Sequence, residues 1–130
     1  MLETAALLAV ALLFGGMTLY AFGFAAVLFT ALPAAQAGAT LRLAFGHFYV
    51  FVMVTAAAAG LAVWPQDRTS ALLLAAIALS AWPTRQVLMP AINRATDTGE
   101  RTRFKVLHSL SVLISLGHIG LAGVVLARFL

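Results

Sequence analysis

The chain contains no cysteine, which excludes disulfides, thiolate metal sites, iron–sulfur clusters and S-palmitoylation. Charge is almost as scarce: Asp, Glu, Lys and Arg make up 9% of the 130 residues, against roughly a quarter in soluble domains. Only four residues are acidic, and none falls inside a long apolar run, so there is no pair of catalytic carboxylates. The sequence also has no phosphate loop and no nucleophile elbow. A protein that is not an enzyme is therefore expected. No RNA- or DNA-binding motif is present either. Eight Lys/Arg give a formal charge of +4 and a pI near 10.8, but these residues gather at the ends of apolar runs. Membrane topology and anionic lipid headgroups account for that placement better than nucleic acid does.

What remains is apolar. Hydrophobic residues make up 63% of the chain and the mean hydropathy is +1.03, so the composition points to an integral membrane protein. The expected fold class is all-α, a single membrane domain over residues 1–130 built as a four-helix bundle. Spans are expected at about residues 4–32, 40–64, 71–89 and 104–126, joined in part by a polar cytoplasmic loop over 90–103. Each is near the ~20 apolar residues a span requires.

The boundaries follow from local chemistry. Pro33 ends the first run. Ala35-Gln36-Ala37 looks like a signal-peptidase site. The start Met1-Leu2-Glu3 carries no basic residue, however, and the apolar run exceeds the about 7–15 residues of a secretory signal, so the first helix is expected to stay. Gly16 and Gly23 fall on one face of it, and Ala56–Gly60 forms a second small-residue stretch, both suited to close helix contact. Trp64-Pro65 closes the second span. Thr69 or Ser70 is expected to cap the third, Pro83 to kink it and Pro90 to stop it. Asp97-Thr98-Gly99-Glu100 reads as a capping box starting the fourth helix near Thr98, with Asp97 paired to Arg101 at i,i+4.

Orientation follows from basic residues. The first and third loops share a side and carry Arg42, Arg94, Arg101, Arg103 and Lys105, while Arg68 and Arg128 lie opposite. That asymmetry places both loops in the cytoplasm and both termini outside, in a multi-pass protein of a bacterial inner membrane.

Polar side chains inside spans mark candidate sites. His47, Arg85 and His108 fall within about 6–10 Å of the cytoplasmic helix ends, and Gln86, Asn93, Ser111 and Tyr49 lie close enough in sequence to join them. A cytoplasm-facing polar pocket handling a small solute or ion is the leading expectation. The competing reading has Arg85 snorkelling to phosphates and His108 bonding a neighbouring helix. On the fourth helix His108, Ser111, Ser115 and His118 share a face. They suit either a wetted polar stripe or a packing seam completed by Gly117, Gly120 and Gly123. No metal site is expected: no histidine pair has i,i+4 spacing, although His47 and His108 lie at a depth that permits haem or a metal ion between two helices.

Two further functional readings stand beside the pocket. One is an accessory or assembly subunit that packs through its Gly/Ala faces into a larger membrane complex. The other is a haem- or metal-binding membrane protein. The lipid bilayer and anionic headgroups at the cytoplasmic face are expected partners. A homo-oligomer is expected too, because four short helices enclose little pathway alone.

Two strings carry a family resemblance. The first is Phe22-Gly23, Leu32-Pro33, Ala37-Gly38 and Phe45. The second is Pro90-Ala-Ile-Asn-Arg-Ala-Thr-Asp-Thr-Gly99, then Phe104, Leu107-His108, Ser111 and Val112. Together they resemble the transmembrane protein 205-like family, small four-helix membrane proteins with a domain of unknown function. The resemblance implies the architecture and no settled activity. A link between the eukaryotic member and platinum-drug resistance suggests export or vesicle handling. Family members often carry Asn after the Ser-Val pair, where this chain has Ser115 nearby.

Overall fold

A computed structural model describes residues 1–130, and every regular element in it is helical. Four long helices follow one another: α1 (Leu2–Ala31), α2 (Ala34–Val63), α3 (Arg68–Asp97) and α4 (Arg101–Arg128). They have 30, 30, 30 and 28 residues. At about 1.5 Å per residue each exceeds the ~30 Å hydrocarbon core of a bilayer. All four are long and apolar enough to cross a membrane.

The connections are shorter than the sequence suggests, and each has a local cause. Leu32 is extended at φ −123°, ψ 152°, as the residue before a proline prefers, and Pro33 caps the next helix. Residues 34–39 contain no proline, and Gly38 alone does not interrupt the helix, so α2 starts at Ala34 rather than near residue 40. The cap of α3 is Asp67, not Thr69 or Ser70: its carboxylate accepts the Ser70 backbone N–H at 3.2 Å.

The largest departure lies at Pro90, which does not end the third span. Between Pro83 and Pro90 the helix widens into a π-turn over Thr84–Leu88, and the Met89 N–H reaches back five residues to the Thr84 carbonyl. Pro90 then falls in the first turn of the resumed α-stretch, where a missing N–H is tolerated. The residues expected to form a loop before Asp97 are therefore helical.

The expected capping box is instead the end of α3. Gly99 adopts φ +70°, and Glu100 N–H bonds the Ala95 carbonyl at 3.0 Å. That is a Schellman closure with glycine in the left-handed position. The fourth helix consequently begins at Arg101, and Glu100 at its N-cap makes no side-chain capping bond.

Sequential neighbours pack on one another and α4 returns to α1, closing a ring of four helices. The core runs along α1 at Ala6, Val10, Leu13 and Met17, along α2 at Val52, Ala56 and Ala59, and along α3 at Ala71, Leu74 and Ile77. Small residues bring α2 and α3 closest: a methyl group added at Gly60 would touch the Ala71 carbonyl and Leu74 Cβ at 3.5 Å. The small-residue seam on α1 is used at Gly16, where an added methyl would come within 2.9 Å of the Phe51 ring. Only 23 of 130 residues are buried, and Leu8, Leu12, Leu43, Leu61, Leu79 and Leu113 stand exposed. In water such a surface would aggregate; in hydrocarbon it is the expected lipid-facing exterior.

Candidate functional site

The site begins with how α1 meets its neighbours. Its first part, Leu2–Thr18, packs on both α2 and α4. Beyond a π-turn over Leu19–Phe24, the stretch Ala25–Ala31 packs on α2. A cavity of about 800 Å³ separates that stretch from the N-terminal half of α4. Phe22, Ala25 and Phe29 of α1, Gly38, Phe45, Phe48 and Tyr49 of α2, and Ile92 of α3 supply much of an apolar wall.

Aromatic packing holds the α1–α2 side of this wall in place. The Tyr20 ring stacks on Phe48 with centroids 4.7 Å apart and meets Phe45 edge-on at 5.5 Å. Its hydroxyl donates to the Ala44 carbonyl at 3.1 Å, which locks α1 to α2 beside the cavity. Across the space, Phe104 and His108 of α4 stack one turn apart with centroids 5.3 Å apart and planes 10° apart.

Polar groups occupy two levels. At the rim, Arg42 of α2 and Asp97 of α3 form a bidentate pair, with N–O distances of 2.6 and 3.2 Å. The same guanidinium donates to the Asn93 carbonyl at 3.4 Å. Further in, Asn93, His108, Ser111 and Ser115 line the cavity. The Tyr49 hydroxyl stands beside that of Ser115, and Tyr49 is 2% exposed. Ser111 Oγ donates to its own helix at the His108 carbonyl, 2.7 Å away. Ser115 lies 14 residues beyond Arg101, about 21 Å along the helix, so the cavity reaches well into the span.

The candidate residues from sequence do not all meet. The cavity takes Asn93, His108, Ser111 and Ser115, but His47, Arg85 and Gln86 are outside its lining. His47 is exposed on α2. Arg85 links α3 to α2 by donating from Nε to the Gly46 carbonyl at 3.0 Å, and its terminal nitrogen donates to Gln86 Oε1 at 2.8 Å. The polar stripe of α4 divides as well. Ten residues at about 100° each carry His118 some 80° around the helix from His108. His118 is buried against α3, with Nε2 2.7 Å from Ser80 Oγ. Glycines of the proposed seam also differ: Gly123 faces Phe14, while Gly117 and Gly120 have no neighbour where a Cβ would sit.

No three His, Asp or Glu side chains come together in a metal-binding group, and His47 and His108 do not share the cavity. Asp97 pairs with Arg42, not with Arg101. Sequence reading missed this rim pair because it depends on α3 running through Pro90 as far as Asp97.

A second clasp closes the other end. Arg128 near the end of α4 donates from Nε to Asp67 Oδ2 at 2.8 Å and from a terminal nitrogen to Oδ1 at 3.0 Å. The Ser70 hydroxyl donates to the same carboxylate at 2.6 Å. The Arg128 guanidinium first, and Ser70 second, hold the Asp67 carboxyl well below the usual carboxylate range. Each end of α3 is therefore an aspartate bound by an arginine from a neighbouring helix.

No curated protein matches the chain, and no solved structure does. One family does match, described as a domain of unknown function, over residues 8–101. That range covers most of α1, all of α2 and α3, and the turn into α4, leaving the cavity wall supplied by α4 beyond it. The chain belongs to this uncharacterised family, DUF4149, as a member with four membrane-spanning helices.

Proposed function

We propose that the protein is a non-enzymatic membrane protein that binds a small amphipathic solute in the cavity between α1 and α4. One observation carries this reading: a mostly apolar space of about 800 Å³ whose few polar groups are Tyr49 of α2, Asn93 and Thr96 of α3, the rim pair, and one face of α4. That volume lies within the roughly 300–1,000 Å³ of small-molecule sites, which are mostly apolar with a few placed polar groups. A bare ion is the weaker candidate, since no cluster of ligating side chains lines the space. The excess of basic residues at the rim end supports a cytoplasmic position for it, with both termini outside, in a bacterial inner membrane.

The absence of native cysteine makes the test direct. Ser115→Cys sits in the cavity wall, whereas Leu113→Cys sits on the exposed outer face of the same helix. A thiolate forms only where water reaches it, so a small water-soluble thiosulfonate should label Cys at 115 about tenfold or more faster than at 113. Equal, slow labelling at both positions means that the cavity is closed to solutes.

A second reading has its own support. Gly117 and Gly120 are exposed on α4 with open space where a Cβ would sit, a surface suited to another helix. It favours a homo-oligomer or an accessory subunit of a larger complex. Gly117→Leu then lowers the particle size in mild detergent; an unchanged size removes this reading.

A further inference from the structure

The cavity has a side outlet as well as a rim. Phe22 and Phe29 of α1 line it while 59% and 55% exposed, and Leu116 and Val112 of α4 line it while 43% and 42% exposed. Residues that face both the cavity and the exterior are the edges of a slot between two spans, and the exterior at that level is hydrocarbon. Deep in the cavity Ser111 is bonded to its own helix, and Tyr49 and Ser115 stand together. The Asn93 amide and the His108 imidazole, nearer the rim, make no hydrogen bond and face the end where a headgroup would lie. Length adds a constraint. From Phe104 to Ser115 the wall runs 11 residues, about 16 Å along α4, close to one leaflet of a ~30 Å hydrocarbon core.

Charge sets the other end. At the same end of the bundle, outside the cavity lining, the side chains of Arg94, Arg101, Arg103 and Lys105 make no hydrogen bond or ion pair, and Arg101 and Arg103 border a separate shallow recess. The neighbouring acids are already engaged, Asp97 by Arg42 and Glu100 by the Thr98 hydroxyl. That end of the bundle therefore carries unneutralised positive charge beyond the mouth of an apolar slot.

We propose that the occupant is an anionic phospholipid of the surrounding leaflet. One acyl chain enters through the α1–α4 slot and lies against Phe45, Phe48 and Val112, while the phosphate meets Arg101 and Lys105, which precede His108 by seven and three residues on the cavity side of α4. This rests on the cavity being a binding site, and it makes the amphipathic solute a membrane lipid.

The test uses the full chain reconstituted in vesicles of equal phosphatidylglycerol and phosphatidylcholine, extracted in mild detergent, with retained lipid measured by mass spectrometry. About one phosphatidylglycerol per chain is expected for an occupied site. Ala25→Trp and Val112→Trp plug the cavity from opposite walls and lose that lipid, while Leu61→Trp, on an outward face, keeps it. Replacing Arg101 and Lys105 with Gln lowers the preference for phosphatidylglycerol by about fivefold for each charge removed.

Equal retention in the plugged and parent proteins overturns the proposal, and so does retention without headgroup preference. A lipid-free dimer that Ala25→Trp dissociates overturns it too, and makes a second copy the occupant. Fast labelling of Cys at 115 without retained lipid removes the lipid but leaves a solute site standing. Slow labelling together with no lipid removes both.

Discussion

Arg42 and Asp97 lie 55 residues apart in sequence and meet in a bidentate ion pair at the rim of the cavity, 2.6 Å at the shorter contact. The pair ties the start of α2 to the end of α3, but both side chains are substantially exposed, at 38% and 60%. Exposed pairs of this kind contribute little to stability. The double variant Arg42→Gln/Asp97→Asn is therefore expected to melt close to the parent temperature in detergent. Its effect should fall on access: Cys at 115 labels faster when the rim no longer links two helices. A large drop in melting temperature with unchanged labelling would make the pair a structural clamp instead.

The clasp at the opposite end makes a pH prediction. Asp67 titrates below its usual range because Arg128 and Ser70 bind its charged form. A depressed folded-state pKa contributes stability that is complete above the unfolded value, near 3.9, and is lost as pH falls through the lower folded value. The parent protein should thus hold a constant melting temperature above about pH 5 and lose stability below about pH 4. Asp67→Asn should begin lower at neutral pH and lose less on acidification, since Arg128 has no carboxylate left to release. Thermal melts of both proteins from pH 7 to pH 3 read the difference directly. Parallel curves would mean that the clasp contributes nothing.

The four spans were legible in the sequence because lipid selects on a property each segment carries alone: enough consecutive apolar residues to cross. Helix ends were less legible. Pro90 stops a regular α-ladder, and nothing local announces the π-turn over Thr84–Leu88 that lets α3 continue past it. That one shift turned an expected loop into helix and moved Asp97 from a presumed N-cap to the end of α3. Direction around a helix was not readable from residue counting. His47 and His108 are both exposed, yet only His108 lines the cavity. The aromatic wall of Tyr20, Phe45 and Phe48 was hidden for the same reason, since Phe in a membrane span faces lipid or protein with equal ease.

Gly99 tests the turn that replaced the expected capping box. Its φ of +70° is a conformation that a side chain disfavours by roughly 1–2 kcal/mol. Gly99→Ala should destabilise the protein by about 1 kcal/mol, and Gly99→Asn by less, because Asn tolerates this position better. Denaturant titration in mixed micelles gives the ranking. If Ala and Asn were both neutral, α3 would not be closed by a left-handed residue.

His118 separates packing from conduction on α4. Its ring sits buried with Nε2 2.7 Å from the Ser80 hydroxyl, so the pair joins α4 to α3 away from the cavity. Interhelical hydrogen bonds within membranes average only about 0.6 kcal/mol, but a buried polar group left alone costs about 1–3 kcal/mol. Ser80→Ala should accordingly destabilise the bundle, and adding His118→Leu should recover much of the loss by removing the stranded imidazole. Neither change should alter labelling of Cys at 115, since neither residue lines that space. A wetted stripe running from His108 to His118 requires the opposite: His118→Leu would slow labelling at 115, and the double variant would be no more stable than Ser80→Ala. Melting temperatures and labelling rates on the same three proteins decide between the two.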